Sequence, residues 1–423
     1  MFKKVFYNTG FQIVGKAITA STTLLVTLLI ARSLGPFGYG EFTKIFVFVG
    51  YFYTFSDFGL NTIYIKLANS NGQVTLLRVL VGFRLILTQI LVLLAVLISL
   101  ALPYNPNGGI GFSPQVKMGI AIASITIITQ GLFTTANAYF QKNLRYDLST
   151  IAAIFGSLVI LAGTAVATAG QRDLLSYTAV YVLGGLTFAL VAYYLIFRKS
   201  KVIILPLFLI SKARQMFSLS WPVGIALVLN LVYFRIDVFI LANSRPPSEV
   251  GLYGLSYQFF EAALAIPIFF SNALYPLLAQ LYNSNILEFK KQVKNWLKIL
   301  TILGLLLAIF LAIIAFFIPH PQIFTSRFSG SVLALQILAA GIPLFFLSAL
   351  LWHVLIIYNR QKYLIVVYGA GAIFNFVANF ILIPRFGYLA AAAVTVISEA
   401  IILLLLFWAA YLKGKTAKVY EVK

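Results

Sequence analysis

Ala31-Arg-Ser-Leu-Gly-Pro-Phe-Gly-Tyr-Gly-Glu-Phe42 stands between two long apolar runs and packs three glycines and a proline into twelve residues. Gly35-Pro36 ends one helix, Gly38 to Gly40 lets the chain reverse, and Glu41-Phe42 opens the next helix. The run before it, Phe11 to Ala31, is long enough to cross a bilayer, and no small-residue cleavage site follows it. It therefore reads as a retained transmembrane helix. A reversal between two spanning runs makes this chain a polytopic membrane protein.

Outward from this turn, runs of roughly 20 mostly apolar residues recur along the whole chain. Twelve are expected, near 8–32, 42–67, 77–102, 115–139, 147–169, 174–197, 217–243, 252–280, 292–318, 330–357, 363–383 and 388–412. Composition agrees: 61% of the 423 residues are hydrophobic and 10% charged, where a soluble domain carries about a quarter charged. Cysteine is absent and the two histidines, His320 and His353, are far apart, which argues against disulfide, thiolate-metal and His-metal chemistry. The net charge of +21 is scattered in small clusters between apolar runs, so it reads as membrane topology and not as a nucleic-acid surface.

With the N-terminus placed inside, twenty-one of the 31 lysines and arginines fall on inside segments, six on outside segments and four within spans. The bias alternates correctly through all twelve spans, which predicts cytoplasmic termini. Gly38-Tyr39-Gly40 is echoed by Gly251-Leu252-Tyr253-Gly254 at an offset of 214, and Ala179-Val180-Tyr181-Val182 by Ala393-Val394-Thr395-Val396. Six spans per half predict a parallel repeat with the substrate site between the halves. The expected fold is all-α: two pseudo-symmetric six-helix bundles around a central cavity. Residues 1–200 form one bundle, 201–216 a basic cytoplasmic linker and 217–423 the other.

Charges inside spans are costly and mark candidate function. They are Lys16, Lys44, Asp57, Arg84, Arg235, Asp237, Glu261 and Glu399. Lys44 lies near a helix end, where its side chain can reach the interface. Asp237 can pair simply with Arg235, and Arg84 fits either a structural or a cavity role. Lys16, Glu261 and Glu399 lie deeper and favour function. Asp57-Phe58-Gly59 spells a kinase metal triplet, but no Gly-rich loop or catalytic loop accompanies it. Glu288 to Lys298 is amphipathic and reads as an interfacial helix on an anionic leaflet. Pro222, Pro267, Pro276 and Pro343 are expected to kink their helices. Gly50, Gly82, Gly131, Gly156 and Gly184-Gly185 are expected at close helix contacts.

Ala31-Arg32-x-Leu34-Gly35-Pro36-x-x-Tyr39-Gly40-x-Phe42 and Asp57-Phe58-Gly59-Leu60 resemble the Wzx-type polysaccharide (O-antigen repeat-unit) flippases of the multidrug/oligosaccharidyl-lipid/polysaccharide exporter superfamily. Asp237, Val250-Gly251-x-Tyr253 and Pro384-x-Phe386-Gly387 before Ala390 to Ala393 and Glu399 extend the resemblance over essentially the whole chain. It implies a flippase, not an enzyme, that moves undecaprenyl-pyrophosphate-linked oligosaccharide across a bacterial inner membrane by alternating access. It implies no cofactor beyond a coupling proton or sodium ion. Under that reading Lys16, Arg84 and Arg235 supply cations for the pyrophosphate, and Asp57, Asp237, Glu261 and Glu399 are candidates for ion coupling. The partners implied are lipid-linked glycan, membrane lipids and enzymes of glycan assembly, for a protein acting as a monomer. Competing readings are a drug exporter of the same fold, a lipid II flippase, and an integral-membrane glycan polymerase or glycosyltransferase. The uncharged, short 103–114 loop leaves the last little catalytic material.

Overall fold

The computed structural model describes residues 2–68, 72–201, 203–320 and 324–411, with side chains from Gly15 onward except Ala226. The basic residues Lys413, Lys415, Lys418 and Lys423, and the side chains of Lys3 and Lys4, lie outside the described residues.

Helix α1 (Phe2–Asp57) is helical on both sides of Gly35, whose φ of 65° and ψ of −178° break it. The apolar part, Gly15–Leu67, holds 53 residues. At 1.5 Å per residue that is about 80 Å, far beyond a hydrocarbon core of about 30 Å. The two limbs of α1 must therefore be two separate crossings. Gly35 accepts the left-handed conformation that a side chain would oppose.

The second limb ends at Phe58 (φ 38°) and Gly59 (φ 77°), and α2 (Leu60–Leu67) completes the crossing. Then come α3 (Gln73–Ala101), a two-stranded hairpin of β1 (Tyr104–Asn105) and β2 (Ile110–Gly111), and a fourth crossing split at Ser124 into α4 (Pro114–Ala123) and α5 (Ile125–Lys142). Helices α6 (Tyr146–Ala169) and α7 (Leu174–Ser200) finish the N-terminal lobe. The C-terminal lobe comprises α8 (Ile210–Ser244), α9 (Pro247–Ser284), α10 (Ile286–Ala315), α11 (Gly330–Ile357), α12 (Gln361–Phe386) and α13 (Tyr388–Tyr411). The result is twelve crossings in two six-helix lobes.

Helix starts follow local chemistry. Ser113 accepts from Val116 N with Pro114 beside it, Asp173 from Ser176 N, and Asn285 from Leu287 N and Glu288 N. In the C-terminal lobe α11 is central, with α9, α10 and α13 packed around it, and α12 bridges α13 and α8. Helix α10 turns Ile302, Leu305, Leu306, Ile309, Phe310 and Ile313 outward, a stripe at helical spacing that needs hydrocarbon as solvent.

Several expectations change. Glu288 to Lys298 does not lie flat. It forms the first turns of α10, continuous with the crossing. Lys44 does not reach the interface: it is fully buried, and its Nζ donates to Gly111 O at 2.8 Å, tying the hairpin to α1. Helices α8, α9 and α11 run through Pro222, Pro267, Pro276 and Pro343 without the backbone break seen at Gly35. Gly50 meets nothing within 4 Å, whereas Gly82 takes the Leu207 backbone against it. That contact belongs to the segment linking the lobes. Its extended part, 203–209, lies along α3, with Leu207 N donating to Arg78 O and Arg78 Nε to Leu205 O. Helix α8 already begins at Ile210.

Candidate functional site

The lobes meet first where the second limb of α1 and the first turn of α9 begin, on the face that holds Gly35. Here Pro36-x-x-x-Gly40 crosses Pro247-x-x-x-Gly251. A Cβ on Gly40 would strike Pro247 O, and one on Gly251 would strike Pro36 O. The contact is reciprocal: each proline carbonyl sits over the other lobe's glycine, with the two motifs related by an offset of 211. Thr43 and Gly254 continue the crossing at the same offset. Small residues let two backbones approach closely where side chains would hold them apart. The sequence echo at Tyr39 and Tyr253 lies in this contact but is out of register with it by three residues. We call this end of the molecule the far face, and the opposite end, which carries the linker, the basic face.

A second interlobe contact lies on the basic side. The ring of Phe58 stacks on Phe217 of α8, with centroids 5.6 Å apart and planes 13° apart. A Cβ on Gly59 would meet Val223, and one on Gly224 would meet the Phe58 ring. The first turns of α8 thus rest on the N-terminal lobe. Asp57-Phe58-Gly59 is a structural elbow: the break lets the phenyl ring and the bare glycine receive the neighbouring helix.

The remaining member of that elbow, Asp57, accepts from Arg84 Nη2 at 3.0 Å. Arg84 is fully buried, and its Nη1 is spread over Asn61 Oδ1, Gly131 O, Thr134 Oγ1 and Thr135 Oγ1 at 2.8 to 3.2 Å. A guanidinium has five donors in a rigid fork; this nest engages Nη1 and Nη2, while the buried Nε has no partner among the described residues. Arg84 is therefore not placed to meet a ligand between the lobes, because its charge is spent inside one lobe. Asp57 is its counter-ion.

Between the two contacts, α1, α8 and α9 present the charged groups that do reach the interlobe space. Arg235 Nη2 donates to both oxygens of Glu261, at 2.8 and 2.7 Å. Its guanidinium lies 5.2 Å from the Tyr257 ring centroid. Tyr51 of the N-terminal lobe donates to Arg235 O at 2.8 Å. Arg235 is thus present at the interface but already neutralised by Glu261. Lys16 is exposed, with its Nζ 4.5 Å from the centroid of the Phe269 ring across the lobe boundary. Among the described residues no carboxylate pairs with it. It is the candidate cation whose charge remains uncommitted.

Two carboxylates sit inside the C-terminal lobe. Asp237 is buried and accepts from the Tyr253 hydroxyl and from Val238 N. Glu399 is buried and accepts from the Tyr233 hydroxyl at 2.9 Å, at the wall of a cavity of about 310 Å³. Neither makes an ion pair among the described residues. The tyrosine partners lie 16 and 166 positions away, so sequence spacing offered no sign of them.

Comparison with known proteins places this geometry. The polysaccharide biosynthesis protein family matches residues 3–282. The chain belongs to that family. The MatE family also matches residues 222–381 of this polysaccharide biosynthesis protein. No curated protein matches it in sequence. Its fold is similar to a lipid II flippase, MurJ, in an inward closed conformation: TM-score 0.75, 16% identity, 95% of this chain and 87% of that one covered. It is also similar to an inward-facing multidrug resistance MATE transporter (TM-score 0.72, 12% identity, 92% and 93% covered). A transporter from Pyrococcus furiosus with a binding pocket of reversed polarity shares the fold at TM-score 0.61 and 12% identity, covering 96% and 94%. The protein is thus a multi-pass membrane protein with the two-lobe architecture of flippases and exporters.

Proposed function

We propose that this protein flips a polyprenyl-pyrophosphate-linked oligosaccharide from the cytoplasmic to the outer leaflet of a bacterial cytoplasmic membrane, with its basic face in the cytoplasm. The observation that carries the reading is Lys16: an exposed, unpaired ammonium on the boundary between two membrane-embedded lobes. A cation without a counter-ion is expensive there and is retained where an anion visits. The phosphate groups of a lipid-linked sugar supply that anion. An apolar cleft of about 410 Å³ between α1 and α10, walled by Leu24, Leu28, Phe259 and Phe317, suits the lipid chain.

Closure of the far face by the reciprocal proline–glycine crossing supports alternating access, with the substrate entering from the basic side. Coupling to a proton or sodium gradient falls to Asp237 and Glu399, the buried carboxylates that make no ion pair among the described residues. The Arg235–Glu261 pair can open to admit the substrate, with Arg235 then turning from Glu261 to phosphate. The protein acts as a monomer alongside the enzymes of glycan assembly.

Rescue of a strain lacking its glycan flippase tests the reading. Wild-type protein is expected to restore surface glycan and Lys16→Ala to lose it at equal membrane abundance. Full activity of Lys16→Ala would remove the carrying observation. The drug-exporter reading draws on the MatE match over 222–381 and on a carboxylate in the C-terminal cavity. Rescue of an exporter-deficient strain from cationic drugs, with no glycan restored, would establish it instead.

A further inference from the structure

The cavity in the C-terminal lobe is walled by groups that the transport cycle above leaves largely unused. Asn230 of α8, Asn272 of α9, Trp352 and His353 of α11, Tyr368 of α12 and Glu399 of α13 converge on a space of about 310 Å³. That is the lower end of the range for small-molecule sites, which runs from about 300 to 1,000 Å³. It admits one or two sugar rings, not a whole glycan.

The wall has two chemistries. Trp352, partly exposed, meets Tyr368 edge-on with centroids 5.0 Å apart, which holds the indole as a fixed platform. An aromatic face is electron-rich and apolar, and the C–H faces of a pyranose pack well on it. The rest is a set of hydrogen-bonding groups that includes one carboxylate. Asn272 Oδ1 lies 3.2 Å from His353 Nε2, which fixes both groups, and Asn230 is exposed. Ser348, on the same wall, places its buried hydroxyl beside Glu399 without closing a hydrogen bond of normal geometry. A buried hydroxyl without a settled partner calls for one. A polyol supplies many donors and acceptors in one plane, and a carboxylate accepts well from hydroxyls.

Placement joins the cavity to the anion site. Glu261, Leu264, Ile268 and Asn272 stand at i, i+3, i+7 and i+11 and share one stripe of α9. The last three line the cavity, and Phe269, next to Ile268, carries Lys16. Phe269 therefore holds the lone cation at the level of the sugar-sized space, on the neighbouring face of α9. Lys16, outside the cavity, attracts the phosphate, while the cavity wall offers it no lysine or arginine among the described residues.

We infer that this cavity is a glycan subsite: it holds a sugar ring close to the pyrophosphate, stacked on Trp352 and hydrogen-bonded by Asn272, Asn230 and Glu399, while the phosphates stay at Lys16. The inference rests on the flippase reading and adds where the sugar is recognised. Glycan selectivity then resides in the C-terminal lobe.

The test is saturation-transfer NMR on the full chain in lipid nanodiscs, with a panel of methyl glycosides of neutral and N-acetylated hexoses and with tetraphenylphosphonium. At least one glycoside is expected to receive transfer at its ring protons. That signal falls to baseline in Trp352→Ala and in Asn272→Leu, a variant on a different helix. It persists in Trp352→Phe, which keeps a platform, and in Trp408→Ala, an exposed tryptophan elsewhere. Transfer to no glycoside, transfer unchanged in both cavity variants, or transfer to tetraphenylphosphonium alone overturns the subsite. Parallel rescue of surface glycan separates the two readings. Rescue without sugar transfer sinks the subsite alone, and sugar transfer without rescue in any flippase-deficient strain sinks the flippase reading alone.

Discussion

The two lobes repeat one helical plan but treat buried charge in opposite ways. The N-terminal lobe closes its charge. Arg84 is paired to Asp57 and hydrogen-bonded to Asn61, Thr134, Thr135 and Gly131 O, and the lobe packs around the nest. The C-terminal lobe leaves its charge open. Glu399 has a tyrosine partner and a cavity, and Asp237 has a tyrosine and a backbone amide, with no ion pair at either among the described residues. A closed network specifies one arrangement, since losing any member strands the others in low dielectric. An open network can exchange a proton, an ion or a ligand without unfolding. The N-terminal lobe is thus built as the stiff half and the C-terminal lobe as the responsive one.

The hardest blow to that contrast comes from Arg84→Ala. It leaves Asp57, whose side chain is 30% exposed, without its counter-ion and Asn61, Thr134 and Thr135 without their donor, at the lower end of the range of about 3–5 kcal/mol for breaking a buried pair. The expected result is loss of folded protein from the membrane, seen as early aggregation on size exclusion and a large fall in Tm. Asp57→Asn, which keeps an acceptor for Arg84, is expected to cost less. A well-folded Arg84→Ala that fails only in transport would mean the guanidinium meets substrate after all, and the stiff-half description would be wrong.

Next in size is the far-face crossing. Gly40→Leu or Gly251→Leu pushes a side chain into the other lobe's proline carbonyl. Folding within each lobe is untouched, so the far face is expected to stay open. Spin labels at Asn107 and Ser326, both exposed on that face, report it as a longer distance distribution than in wild type. An unchanged distribution would show that the crossing does not set the closed state.

Much of this was legible before the structure. The break at Gly35, the twelve spans and the charge bias depend on local composition, which the bilayer imposes directly on sequence; the reversal expected over Gly38 to Gly40 does not occur there, because the second limb is already helical from Pro36. The site was less so. Arg84 and Lys16 look alike as single cations in apolar runs. What separates them is Asp57, 27 residues away, and Phe269, on the far lobe. The 214 offset likewise found the repeat but missed the true contact register, because the Pro-x-x-x-Gly motifs pair through backbone shape and not through identical words. Lys44 was misplaced for a similar reason: its acceptor, Gly111 O, belongs to a hairpin 67 residues later.

Glu399→Gln sharpens the contrast from the other side. Tyr233 can still donate to the amide oxygen, so the fold should hold, with Tm near wild type. What is lost is the titratable charge. In proteoliposomes, coupling between ion gradient and transport, typically about 5–150-fold in affinity between two linked sites, should vanish while downhill exchange continues. Retention of gradient-driven transport would shift coupling to Asp237 or out of this lobe.

The smallest effect tests a quiet position on the second limb of α1. Gly50 lies on the second limb of α1, one residue before Tyr51, whose hydroxyl reaches Arg235 O. A Cβ there meets nothing within 4 Å, so Gly50→Ala is free of steric penalty in this state. Replacing a mid-helix glycine by alanine should stabilise by about 0.5–1 kcal/mol. If Tm rises slightly and transport is kept, Gly50 is only a helix position. If Tm rises while transport falls, the empty space is occupied in another state of the cycle. The N-terminal lobe would then contribute moving surface as well as a rigid wall.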